Sequence, residues 1–330
     1  MNGEFELIES LARLLPPLSQ RTELGIGDDA AVLKPFLGKP LLTIDALVEK
    51  IHFDFSFCEP FEVGYKALAV NVSDIAAMGG KPRAALIALA VPASFDSKIL
   101  EEIYRGISSL AQENSVDVIG GNISRSLGGL SISVVVLGEG KDKVITRSGA
   151  KEGDKVFVSG FLGEAAAGLS LFKAYGSQAR KKFPNLCNRY LKPSPRVPLG
   201  EALAGIPGVH SLIDLSDGLS SELWHLSKAS KAQFLIQEKL LPLSTEVKSA
   251  ARELSMPFRP WLLSGGEEYE LLGTCSAQSS KEVIEAGAEQ GISMTLIGEV
   301  LAGQSQVLID TSEGKQEILE ARGWDHFKSS

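Results

Sequence analysis

Strands and helices interleave along both halves of this chain, which predicts an α/β fold, α+β in its layering, built as two domains. Three observations lead there. At 330 residues the chain exceeds the usual single core, so two units of unequal size are expected. A composition of 44% hydrophobic and 22% charged residues is that of an ordinary globular protein, able to bury a sizeable interior. Finally, no fixed-period repeat or low-complexity tract occurs, which argues against solenoids and propellers.

Taken in order, residues 5–15 have helical apolar spacing and stop at Pro16-Pro17. A glycine-flexed turn, Gly25-Ile26-Gly27-Asp28-Asp29, follows. Residues 40–48 are β-rich and predict a strand ending near Asp45, with His52 on the loop beyond. Residues 62–78 read as a buried helix stopped by Gly79-Gly80, and its Asn71 and Asp74 share a face. A buried strand over 83–91, an amphipathic helix over 95–114 carrying Tyr104, and a strand beginning at 116–119 come next. Gly120-Gly121-Asn122 is read as opening a loop, and 130–137 alternate as a strand. The charged, glycine-bearing stretch 141–151 is the expected linker, giving domains 1–145 and 146–330. In the second domain, strands are expected at 155–159, 209–215, 268–274, 294–297 and 306–309. Helices are expected at 163–175 and 219–229, with a stiff Lys192-Pro193-Ser194-Pro195-Arg196 crossing between them.

A net charge of −8 without any long Lys/Arg run argues against nucleic acid as a partner. The longest apolar run, 84–93, is too short to span a bilayer, and the start Met1-Asn2-Gly3-Glu4 lacks a signal peptide's basic region, so a cytoplasmic location is expected. Cys58, Cys187 and Cys275 are far apart with no Cys-x-x-Cys, which suits a reducing compartment and argues against a zinc site.

The chemistry lies in acids at turns and element ends: Asp28-Asp29, Asp45, Asp74 and Asp214-Leu215-Ser216-Asp217. Dispersed carboxylates of this kind suit Mg²⁺, which takes one or two per ion and completes its shell with water and phosphate oxygens. Each has a plainer reading, since Asp28 or Asp29 can shape a turn and Asp217 can cap the helix that follows it. An acid on the apolar helix, Asp74, needs a partner or a function. Gly120-Gly121 with Arg125 nearby, and Arg147 in Thr146-Arg147-Ser148-Gly149, are candidate phosphate contacts or else ordinary loop residues. Neither a P-loop, a Gly-x-Ser-x-Gly elbow nor a His-Glu-x-x-His pair occurs, and no apolar strand precedes Gly25 as a dinucleotide fold would require.

In this order the motifs resemble one family. Gly25-Ile-Gly-Asp-Asp29, Val48-Glu-Lys-Ile-His-Phe53, Ala67-Leu-Ala-Val-Asn-Val-Ser-Asp74-Ile-Ala-Ala-Met-Gly79, Thr146-Arg-Ser-Gly-Ala-Lys151, Asp214-Leu-Ser-Asp-Gly218, Ser264-Gly-Gly-Glu267 and Gly323-Trp-Asp-His-Phe327 are similar to motifs of the thiamine-monophosphate kinases. That family belongs with aminoimidazole ribonucleotide synthetase and selenophosphate synthetase. The resemblance implies ATP-dependent phosphorylation of thiamine monophosphate by direct in-line transfer assisted by Mg²⁺. It implies metal ligation by Asp29, Thr43, Asp45, Asp74, Asp214 and Asp217, with Asn122 at a further metal position. Tyr104, Gly121, Arg147 and Ser216 would contact ATP, while His52, Glu267 and Trp324 would contact thiamine phosphate. It implies further an N-terminal sheet shared across a homodimer, and a C-terminal α/β domain completing the nucleotide and thiamine phosphate site.

Departures from the family pattern are Asn122 where Gly-Gly-Asp is usual, Glu268 where Ser-Gly-Gly-Glu-Asp is usual, and Ile44 where a hydroxyl is common. Asn122 motivates an alternative, a nucleotide- or thiamine-phosphate-binding homologue with weakened catalysis. Another ATP-dependent enzyme of the superfamily is the remaining alternative, disfavoured for selenide chemistry because no cysteine stands near the N-terminus.

Overall fold

A computed structural model describes residues 4–323 apart from 94 and 142, and the chain divides into two units, Met1–Ile75 with Gly80–Asp142 and Ala76–Gly79 with Lys143–Ser330. The first contains α1 (Glu4–Ala12), β1 (Thr22–Leu24), β2 (Val32–Leu33), β3 (Lys39–Val48), α2 (Pro60–Ala77), β4 (Lys81–Pro92), α3 (Ser97–Asn114), β5 (Asp117–Ser126) and β6 (Ser131–Gly140). Its sheet runs β3-β6-β4-β5, with β6 antiparallel to both neighbours and β5 parallel to β4 through the α3 crossover.

Helix α2 is buried nearly all round because small and apolar residues fill almost every turn, from Val63 and Leu68 to Val72 and Ile75. Amphipathic α3 buries Leu100, Ile103, Ile107 and Leu110, and is capped by Asp96, whose side chain accepts from the Lys98 N–H. The two helices meet backbone to backbone. A Cβ on Gly106 would lie 1.9 Å from the Phe61 carbonyl oxygen, and one on Gly64 1.8 Å from that of Ile103.

The sheet's two faces differ. Ile87, Leu89, Ile132, Val134 and Val136 are buried on one face. On the other, the register aligns Ile44 with Val135 and Val135 with Leu86, and Leu42 and Ile44 are 72% and 64% exposed.

Two expected boundaries are corrected here. Strand β3 does not end near Asp45 but continues to Val48, in register with Ser131, and the Glu49 N–H just beyond it still donates to the Leu130 carbonyl just ahead of the facing strand. Gly120-Gly121-Asn122 is not a loop but the middle of β5, whose ladder with β4 overrides the turn preference of the glycines. Gly121 is required by close approach, since a Cβ there would lie 2.0 Å from the Ile87 carbonyl oxygen.

The second unit contains β7 (Lys155–Ser159), α4 (Glu164–Tyr175), α5 (Ala179–Lys182), α6 (Pro184–Leu191), α7 (Val197–Ala204), β8 (Val209–Asp214), α8 (Leu219–Ser230), β9 (Gln233–Gln237), α9 (Thr245–Leu254), α10 (Arg259–Ser264), β10 (Leu271–Cys275), α11 (Ser280–Glu289), β11 (Met294–Leu301), β12 (Gln306–Asp310) and β13 (Gln316–Ile318). Its sheet runs β13-β12-β9-β11-β7-β10-β8. Alternation along β7 explains the two-sided core: Val156 and Val158 pack with Leu219, Leu223 and Leu226 of α8, and Phe157 packs with Leu199 and Leu203 of α7 and Val283 of α11. The strand expected from residue 268 starts instead at Leu271. Glu267 and Tyr269, at φ of 69° and 51°, lie in the left-handed region and cannot continue a ladder. Among the described residues no helix is long and apolar enough to cross a membrane.

Gly106→Ala is expected to destabilise the protein by about 1–3 kcal/mol through overpacking of α2 against α3. Denaturant unfolding checks this, and an unchanged midpoint would count against the backbone contact.

Candidate functional site

In the first unit, Asp117 anchors the segment that leads to the acidic turn. Its carboxylate accepts from Ser19 N at 2.9 Å, Ser19 Oγ at 2.7 Å and Thr22 Oγ1 at 2.6 Å. The turn itself bends at Gly27, whose φ is +127°, and Asp28 Oδ1 accepts from the Asp29 N–H at 2.8 Å. Asp28 therefore shapes the turn, and Asp29 is exposed.

Period-two alternation places Thr43 and Asp45 on one face of β3, and Thr43 Oγ1 donates to Asp74 Oδ2 of α2 at 2.5 Å. One turn earlier on α2, Asn71 donates to the Ala67 carbonyl at 3.1 Å, while its buried Oδ1 has no partner among the described residues. Asn122 is not brought to this group. The register aligns it with Ala88, Ser133 and Ala46, on the face opposite Thr43 and Asp45. His52 Nδ1 accepts from the Val48 N–H at 3.0 Å, which fixes the ring on its own turn and leaves Nε2 to carry the proton. Tyr104 is buried in α3, and burial pushes its hydroxyl up to about 12.

In the second unit two loops are laid against each other. Leu215 N donates to the Glu270 carbonyl at 2.8 Å, Tyr269 N to that of Leu215 at 2.8 Å, and Glu267 N to that of Ser216 at 2.7 Å. The glycines of both motifs are required by this proximity: a Cβ on Gly266 would lie 2.4 Å from the Ser216 carbonyl oxygen, and one on Gly218 2.8 Å from the Ser264 carbonyl carbon. Asp217 is not the N-cap of α8, as the sequence allowed. That position is Gly218, at φ 124°.

Beneath the loops lies a charged cluster that sequence reading does not find. Glu270 has no exposed surface and accepts from Arg189 Nη2 at 2.6 Å, Arg196 Nε at 2.9 Å and Ser159 Oγ at 2.5 Å. Arg189 also donates to the Glu268 carbonyl at 3.2 Å. Burial acts to raise the Glu270 carboxyl, but the Arg196 and Arg189 guanidiniums outweigh it and hold the group below the usual range. Glu268, which accepts from Ala165 N at the start of α4 at 3.0 Å, is pushed by burial up to about 8, with Arg189 only partly opposing.

Glu222 behaves similarly. Burial, with the charges of Asp217 and Asp214 adding, pushes it up to about 8, although the Asp217 N–H that it accepts at 2.9 Å works the other way. Arg147 is exposed on its loop, and the His225 imidazole of α8 is lowered by burial, by Arg147 and by Lys228 against an opposing Asp217. Those charges therefore share one neighbourhood, and His225 is a member that the motifs do not announce. The chain returns to this turn at Gly323, where a Cβ would lie 2.9 Å from the Asp217 carbonyl oxygen. Trp324, the expected thiamine contact, lies outside the described residues.

Thr43 with Asp74, and Asp217 with Ser216, offer oxygen ligands of the kind that Mg²⁺ prefers, and the buried Glu222 Oε2 has no partner among the described residues. No group of three or more His, Cys, Asp and Glu among the described residues is arranged to hold a metal ion. Mg²⁺ takes one or two carboxylates per ion and completes its shell with water and phosphate oxygens, a demand that the Asp74 and Asp217 oxygens fit.

Comparison with known proteins extends this. A family model described as AIR synthase related protein, N-terminal domain, matches residues 27–139. The chain is 36% identical over 329 residues to the thiamine-monophosphate kinase of Bacillus subtilis (strain 168), covering 98% of this chain and 99% of that one. Among solved structures, the thiamine-monophosphate kinase of Stenotrophomonas maltophilia K279a is similar with a TM-score of 0.83 and 32% identity, covering 93% of this chain and 96% of that one. AaThiL complexed with AMPPCP and TMP is similar with a TM-score of 0.79 and 35% identity, covering 98% and 97%.

The raised Glu268 carboxyl sets a pH dependence. Its folded value, about 8, exceeds the ordinary 4.5, so the stability due to the neutral acid is complete below 4.5 and is lost as pH rises through about 8. Thermal unfolding between these limits is expected to show a shallower pH decline for Glu268→Gln than for the wild type; parallel declines would contradict the assignment.

Proposed function

The chain belongs to the thiamine-monophosphate kinase family, and on that footing we propose that it transfers the γ-phosphoryl group of ATP to thiamine monophosphate. The products are thiamine diphosphate and ADP. The observation that carries this reading is the likeness, at 35% identity over 98% of the chain, to AaThiL in complex with AMPPCP and TMP, an ATP analogue and the thiamine substrate.

The acceptor is a phosphate monoester whose second pKa is about 6, so it is already largely dianionic at neutral pH and needs no strong general base. One of its oxygens attacks the γ-phosphorus as the bond to the β,γ-bridging oxygen breaks, and ADP leaves with that electron pair. The chain's task is positioning and charge neutralisation. Asp29, Thr43, Asp45 and Asp74 of the first unit, and Asp214 and Asp217 of the second, would hold Mg²⁺. When bound, Mg²⁺ supplies the positive charge that lets an acidic protein take two phosphorylated substrates. Arg147 adds a guanidinium for phosphate oxygens, and Ser216 a hydroxyl. The carbonyl of Ser216 is fixed by the Glu267 N–H, so the residue assigned to nucleotide and the residue assigned to thiamine phosphate belong to one hydrogen-bonded unit. Tyr104, with its hydroxyl up at about 12, contacts ATP as a neutral phenol, and Gly121 contributes backbone. His52 and Trp324 contact the thiamine phosphate.

The working form is a homodimer. Edge strand β3 and the open apolar row of Leu42, Ile44, Val135 and Leu86 are the surface that a second copy would cover. Asn122, an amide where the family's Gly-Gly-Asp has a carboxylate, motivates the second reading, a homologue that binds nucleotide and thiamine phosphate with weakened turnover. Three buried cysteines, far apart in sequence, suit a reducing cytoplasm.

Purified protein is expected to form thiamine diphosphate from ATP, thiamine monophosphate and Mg²⁺, and Asp217→Asn to lose about 100-fold in rate. Product only after Asn122→Asp would favour the binding reading. The double substitution Leu42→Glu with Ile44→Glu is expected to convert a dimer to a monomer in sedimentation, and an unaltered mass would refute the sheet-face interface.

A further inference from the structure

Glu222, the fourth residue of α8, is 1% exposed, yet nothing in the transfer chemistry above employs it. A carboxylate removed from water is costly unless both oxygens are paired, and breaking that rule in a folded interior calls for a reason. One oxygen is paired. Oε1 accepts from the Asp217 N–H at 2.9 Å, with Ser216 Oγ at 3.5 Å. The other, Oε2, is buried and has no partner among the described residues.

The paired oxygen acts on the turn. Gly218, the N-cap, has no side chain with which to fix the entry to α8, and Glu222 reaches back from the first turn of the helix to the preceding amide. This is the reach of a capping-box glutamate, displaced by one position at each end. It orients the peptide between Ser216 and Asp217, the pair whose hydroxyl and carboxylate the functional reading assigns to nucleotide and metal.

Resting on that reading, we propose that Glu222 is a positioning residue that holds the Ser216-Asp217 turn with one oxygen and receives, with the other, a hydrogen bond from a water that the magnesium–nucleotide brings in its hydration shell. Outer-shell acceptors of this type orient inner ligands and are worth about 10–100-fold in metal affinity. The unpaired oxygen of the ligand-free protein is then an acceptor kept for the ligand.

The test uses the full chain and two readouts, thermal unfolding without ligand and calorimetric binding of Mg²⁺–AMPPCP. Glu222→Gln keeps an acceptor for the Asp217 N–H but places an amino group where the second oxygen was. Its ligand-free Tm is expected to equal or exceed that of the wild type, because a buried acid is replaced by a neutral isostere, while its Kd for Mg²⁺–AMPPCP rises about 10-fold. Glu222→Met, of similar length, surrenders both acceptors and is expected to bind more weakly still. A merely structural role gives a lower Tm with an unchanged Kd, and that result overturns the proposal. Wild-type protein that binds no Mg²⁺–AMPPCP overturns the nucleotide reading and this assignment with it, whereas wild-type binding with an unaltered glutamine variant overturns the assignment of Glu222 alone.

Discussion

A glutamate with no exposed surface, Glu270, shared by Arg189, Arg196 and Ser159, is the interaction on which the second unit's candidate site depends. A buried acid with two guanidiniums and a hydroxyl is satisfied where a single partner would leave it costly, and removal of one partner from such a set is strongly destabilising. Its carbonyl accepts from Leu215 and its neighbours Glu267 and Tyr269 are forced into left-handed backbone, so the loop has little freedom to drift. Left-handed non-glycine residues carry strain of about 1–3 kcal/mol each and persist where the surroundings over-determine them. The Arg189 bond to the Glu268 carbonyl, between those two residues, is such a determinant.

In the first unit the corresponding constraint is the glycine contact between α2 and α3. Those helices are in backbone contact, and α2 also presents Asp74 to Thr43 of β3. The opposite face of the same sheet is left apolar and open. One sheet thus carries Thr43 and Asp45 on its helix-covered face and an open apolar row on the other. Asn122 belongs to the second of these faces by register, which gives its departure from the family pattern a structural setting.

Most of the elements are legible in the sequence because burial on one side or two imposes a period of two or 3.6 on apolar residues, as in Val156-Phe157-Val158 and the Leu219, Leu223 and Leu226 series. Glycines are read less well. Gly120-Gly121 looks like a loop, yet Gly121 is there because a neighbouring strand approaches closely, a fact about tertiary distance and not about local turn preference. Acids at Asp28, Asp74 and Asp217 are visible as candidates, but which of them shapes a turn, receives a hydroxyl or precedes a cap is decided by partners remote in sequence. The Glu222, Glu270, Arg189, Arg196 and His225 side chains show the limit most clearly. Each lies in an unremarkable helix or strand flank, and only folding places it beside the motif that it supports.

The proposed chemistry is one event, passage of a phosphoryl group from ATP to thiamine monophosphate without a stop on the protein. Incubation of the full chain with γ-labelled ATP, thiamine monophosphate and Mg²⁺, followed by separation of nucleotide, thiamine esters and protein, tests it most directly. The expected result is label in the terminal phosphate of thiamine diphosphate and none on the chain. Label retained by a side chain, or its absence from thiamine diphosphate, would contradict the account.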